Sequence, residues 1–172
     1  MALIVETGAG LADAESFCSV AAADTYHEAR GTTLWATMTT TEKEQALRRG
    51  TDYMEQAYRL GWAGYRKTST QALSWPRYEV PMKDAPGGYG FAYVADDIVP
   101  TQVVRACAEM AFRAAAGELA PDLGAQVTSE TVGPISVSYA PGARQSAKFQ
   151  AVEAMLAALM KASGNMVSLV RA

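Results

Sequence analysis

The sequence predicts a mainly α-helical domain of four principal helices, with one β-hairpin and one long projecting loop. Three observations predict it. Capping residues followed by apolar side chains at helical spacing recur along the chain. One stretch, Gln126 to Tyr139, switches to the two-residue alternation of a strand. Val80 to Gly90 carries two prolines and three glycines and suits neither. At 172 residues and 49% hydrophobic composition, the chain suits one domain over residues 1–164 with an N-terminal arm, followed by a C-terminal tail over 165–172.

Leu3-Ile4-Val5, closed by Thr7-Gly8-Ala9-Gly10, reads as an edge strand or an arm. Its glycines lack the third member of a dinucleotide fingerprint. Ser19 is an N-cap for a helix from about Val20 to Arg30, stopped by Gly31. Thr41-Glu42-Lys43-Glu44 forms a full capping box, with Thr41 as the cap, for a helix running to about Arg59. Leu47, Met54 and Tyr58 lie on one face of it, with Gly50 beside them. Arg48 with Asp52, and Glu55 with Arg59, are spaced to pair along the opposite face.

Val80 to Gly90 is the projection, and Phe91 to Val94 reads as a short strand. Val99-Pro100 opens the third helix, where proline is tolerated in the first turn. Val103, Cys107, Met110 and Ala114 repeat at helical spacing among small residues, which makes this helix central; Gly117 ends it. Val127–Val132 and Ile135–Tyr139 form the hairpin through Gly133-Pro134. Ser146 caps a last helix over about Ala147 to Ala162, with an apolar stripe of Phe149, Val152, Leu156 and Leu159, and Gly164 stops it. The tail that follows is apolar. Met166, Val167, Leu169 and Val170 are candidate partner-binding residues, because a free end gains nothing from exposing them.

Net charge is −3, so any nucleic-acid contact has to use a local patch. Cys18 and Cys107 sit among small apolar residues and read as buried free thiols. Glu6 interrupts the apolar opening, so no signal peptide is read there, and no apolar run approaches membrane-helix length. The chain reads as cytosolic at synthesis. The single histidine, His27, has no nucleophile or carboxylate motif tied to it. Asp96-Asp97 reads as acidic residues preceding a helix N-terminus. There is no Cys/His zinc cluster, calcium loop or phosphate-binding glycine loop. The reading is therefore a binding or assembly protein rather than an enzyme, with no cofactor or metal.

The stretch Leu60 to Arg77 is where that reading concentrates. Trp62 and Trp75 bracket it, and from Arg59 to Tyr78 it carries Arg59, Arg66, Lys67 and Arg77 without an acidic residue. Two readings stay open. Trp62, Gly64, Arg66, Trp75, Pro76 and Arg77 can anchor the loop on the core, the arginines bonding backbone carbonyls or a neighbouring subunit. Alternatively, rings stack bases while Arg59, Arg66 and Lys67 meet phosphates of single-stranded nucleic acid.

Several segments together resemble a phage protein family. They are Ala2 to Gly8, Ala12 to Phe17, Ser19 to Tyr26, Ala46 to Met54, Trp62-x-Gly64-x-Arg66, Gln71-Ala72-Leu73-Ser74-Trp75-Pro76-Arg77 and the Val99-Pro100 helix. The chain resembles the DnaT-like single-stranded-DNA-binding proteins of phages and prophages. It is similar, too, to the helical head–tail connector (adaptor) proteins of tailed phages. The likeness runs from Ala2 to about Leu159; the Pro81 to Asp97 segment is longer than the pattern. The connector likeness implies a connector-like fold in a ring, commonly of twelve copies, seated beneath the portal protein. Tail or nozzle proteins bind below, genomic double-stranded DNA passes through the channel, and no membrane is involved. It places the protein at the head–tail junction of the virion after assembly in the host cytoplasm. The DnaT likeness implies single-stranded-DNA binding in phage replication instead.

Overall fold

The computed structural model describes residues 2–85, 92–122, 129–132, 135–138 and 148–161. The helices are α1 (Val20–Glu28), α2 (Thr33–Ala36), α3 (Thr40–Tyr58), α4 (Thr101–Ala116) and α5 (Gln150–Leu156), the last running into a 3₁₀ turn over Ala157–Leu159. Two antiparallel ribbons accompany them, β1 (Tyr65–Arg66) with β2 (Arg77–Tyr78) and β3 (Ser129–Val132) with β4 (Ile135–Ser138). The mainly α architecture and the hairpin are as the sequence predicts. Val132 pairs with Ile135 at one end of that hairpin. The other residues assigned to that hairpin, 126–128, 133–134 and 139, lie outside the described residues, as do residues 86–91 of the projection and strand and the whole tail with Met166, Val167, Leu169 and Val170.

The core is the pairing of α3 with α4. The two helices run in opposite directions: Arg49 bonds the Ala114 carbonyl, Gly50 lies on Ala111, and Thr51 meets Cys107. Leu47, Met54, Val103, Met110 and Ala111 are buried between and around them. Gly50 lets the backbones close, because a Cβ there would lie 2.8 Å from the Ala111 nitrogen. Gly50→Val is therefore expected to destabilise the fold by about 1–3 kcal/mol, as overpacking does, despite glycine's poor helix propensity. Urea unfolding of the variant checks this.

Four expectations are corrected. The cap of α3 is Thr39, not Thr41: Thr39 Oγ1 accepts from Glu42 N and Glu42 reaches back to Thr39 N at 2.7 Å. Two overlapping Thr-x-x-Glu matches compete here. The earlier one adds helical residues and leaves Glu44 to pair with Arg48. Second, α1 ends at Glu28, and the short α2 follows Gly31, which takes φ +67°. Third, α5 is shorter at both ends: it starts at Gln150 with Phe149, not Ser146, in the N-cap position, and it stops at Leu156, well before 162. Met160 turns extended and bridges Trp62, while Ala63 N bonds Leu159 O and Lys161 N bonds Gly61 O. Fourth, the α3 surface charges do not only pair along the helix. Arg48 bonds Glu15 at 2.8 Å, and Glu55 accepts from the Ser74 backbone and hydroxyl instead of meeting Arg59.

The N-terminal segment is stitched to residues 15–16 by a bridge from Val5 to Ser16 and a bond from Glu15 N to Ile4 O. Buried Glu6 then gathers the backbone N–H groups of Gly8, Gly10 and Leu11. Gly8, at φ +104°, lies directly on the Asp97 carbonyl, where a Cβ would sit 1.9 Å away. The base of the projection is a short antiparallel ladder, in which Met82 N bonds Ala92 O and Val94 N bonds Val80 O.

Candidate interaction surface at the aromatic and basic loop

Trp62 and Trp75 are both buried. Their rings meet edge to face at 5.7 Å, and Trp62 meets Tyr58 the same way at 6.3 Å. The Trp75-Pro76 peptide is cis. Neither tryptophan offers a face to a base.

Arg77 is buried and spends its fork on the loop. Nε donates to Ala63 O at 2.8 Å, Nη1 to Ser74 O at 3.1 Å and Nη2 to Gly64 O at 2.7 Å. Burial and the nearby Arg66 charge push its pKa down, and Glu55 opposes them. Buried Gln71 works similarly. Its amide nitrogen donates to Leu73 O and Pro76 O, and its oxygen accepts from Thr68 N. Arg66 donates to Gln71 O, while its Nε is buried with no partner among the described residues. Gly64, at φ +62°, lies under the Tyr78 carbonyl, where a Cβ would come within 2.2 Å. Of the six predicted anchors, Arg66 and Arg77 bond carbonyls of the loop itself, while the indole nitrogens of Trp62 and Trp75 are buried with no partner among the described residues.

Outside that anchor lies an open groove lined by Arg59, Leu60, Tyr65, Arg66, Arg77 and Lys161 beside Gly64, without a carboxylate among its lining residues. Leu60 is 88% exposed and Tyr65 60% exposed. The Tyr65 ring lies 5.5 Å from that of Tyr78, across the β1–β2 pair. Arg59 is exposed and Lys67 half-buried; Lys161 bonds the Leu60 carbonyl. Sequence reasoning missed the two tyrosines, Leu60 and Lys161. The Tyr–Tyr contact depends on a two-residue ribbon too short to show alternation.

Elsewhere the polar groups serve the fold. His27 is buried, and its Nε2 donates to the Ala108 carbonyl at 3.1 Å beneath the Trp35 ring. Burial holds the His27 pKa below its ordinary value. An unfolded histidine takes a proton below about pH 6.5. The folded one stays neutral further down, so the unfolded chain binds more protons and stability falls as pH drops through that window. Urea melts across it should show this slope, and His27→Gln should reduce it. Cys18 and Cys107 are free, buried thiols whose pKa values burial pushes up. Among the described residues no cluster of three or more His, Cys, Asp or Glu side chains is placed to hold a metal ion, and no helix is long and apolar enough to cross a membrane.

A family model described as "Putative DnaT-like ssDNA binding protein" matches residues 1–172. The chain belongs to this DnaT-like family. No curated protein and no solved structure matches it. In this DnaT-like chain Trp62, Trp75 and Arg77 are internal, and the exposed cations and rings lie one layer further out.

Proposed function

We propose that the protein is a non-enzymatic assembly subunit, a head–tail connector that joins portal to tail in a ring of its own copies and lets double-stranded DNA pass. The observation that carries this reading is the division of labour in the loop. Its tryptophans and two of its arginines are spent on internal structure, while Leu60, Tyr65 and Tyr78 are left as an exposed apolar rim. Such a rim needs cover, and rings closed by heterologous contacts provide it. The net charge of −3 suits a channel through which DNA slides without being trapped. The sequence likeness to connectors supplies the specific form, with the portal above and tail proteins below. The tail from Met166 to Val170 is the segment proposed to reach the portal.

A second reading is single-stranded-DNA binding, in keeping with the family's description. One observation favours it: the Tyr65–Tyr78 pair stands beside Arg59 and Lys161, rings next to cations. One pair of experiments separates the two. Particles made without the protein should package DNA but lose it or fail to join tails, and the purified protein should not bind an oligo-dT strand at physiological salt. Normal tails, together with salt-dependent oligo-dT binding that Tyr65→Ala weakens by about 1–3 kcal/mol, would replace the connector reading with the second.

A further inference from the structure

The groove holds four cationic side chains and no carboxylate, in a chain whose net charge is −3. Arg66 and Arg77 are fixed there by bonds to backbone carbonyls, so their charge cannot swing away, and the buried Arg66 Nε has no partner among the described residues. The opposite chemistry is exposed elsewhere on the same molecule. Asp96 and Asp97 are exposed, and they lie between exposed Tyr93 and Ile98, 49% and 44% accessible. Among the described residues no ion pair joins this segment to the groove within one chain. The segment is held in place from behind, because Gly8 packs on the Asp97 carbonyl and Tyr93 pairs with Pro81.

Building on the ring reading above, we propose that the groove at Arg59, Leu60, Tyr65 and Lys161 receives the Tyr93 to Ile98 segment of a second copy of this chain. Carboxylates meet cations, and Tyr93 and Ile98 cover Leu60 and Tyr65. The contact is heterologous: each subunit offers one groove and one acidic segment, and repetition of the same contact closes a ring. Opposed charge on the two surfaces sets the register of neighbours and disfavours a groove meeting a groove.

Mixing two charge-reversed variants tests this. One carries Arg59→Glu with Lys161→Glu; the other carries Asp96→Lys with Asp97→Lys. All four positions are exposed, and thermal melts confirm that both variants fold. Self-association is read by native mass spectrometry and sedimentation at low salt, alone and with the portal protein. Each variant by itself should associate about tenfold or more weakly than the parent, since like charges then face each other. An equimolar mixture should regain association, with the two variants alternating, because each groove again meets a segment of opposite charge. Rings that form equally well from either variant alone would overturn this contact and leave the ring reading standing. Parent protein that never self-associates, even on the portal, would overturn both. Undiminished assembly together with loss of oligo-dT binding in the groove variant would assign the groove to nucleic acid instead.

Discussion

Trp75→Ala is expected to destabilise the protein by about 3–5 kcal/mol, the range of buried aromatic truncations. Trp75 is fully buried, and its ring supports Trp62, which in turn lies against Tyr58 at the end of α3. Removing the ring opens a cavity beneath both, and the 3₁₀ turn after α5 loses its footing because Met160 is paired to Trp62. Denaturant melts measure the loss. If Trp75 instead formed a binding platform, the same change would leave stability intact and weaken oligo-dT binding. A melt and a DNA titration on one variant therefore separate anchor from platform.

Arg77→Met is expected to cost about 3 kcal/mol or more, since each buried carbonyl left unpaired costs roughly 1–3 kcal/mol. Three carbonyls, those of Ala63, Gly64 and Ser74, depend on the one guanidinium. Methionine fills much of the volume, so the loss reports the hydrogen bonds more than a cavity. Arg77→Lys should recover only part of it, because an ammonium cannot reproduce the planar fork. Equal stability of the lysine variant would show that charge rather than geometry holds the loop.

Much of this was legible because it is local and periodic. Val103, Cys107, Met110 and Ala114 mark the buried face of α4, and all four are buried in the structure. Gly50 reads in the sequence only as a neighbour of the apolar face of α3; its close approach to Ala111 appears in the structure. The anchoring role of Trp62, Trp75, Arg66 and Arg77 is one of two readings of the sequence; in the structure both tryptophans are buried and both arginines bond backbone carbonyls of the loop. What escaped depends on contacts between residues far apart in the chain. Nothing near Met160 shows that it leaves α5 to pair with Trp62. Glu6 reads as a break in an apolar run, while its role is to gather three backbone N–H groups of a loop that has not yet formed in sequence order. The α2 turn and the β1–β2 ribbon are too short to show a period. The groove combines the end of α3, β1, β2 and Lys161, so no single stretch of sequence displays it.

Electron microscopy of the purified protein mixed with its portal tests the assembly role most directly. The expected result is a ring of this chain seated coaxially under the portal, with the β1–β2 rim covered by the neighbouring subunit. Portal particles that stay bare while the chain coats single-stranded DNA would contradict it.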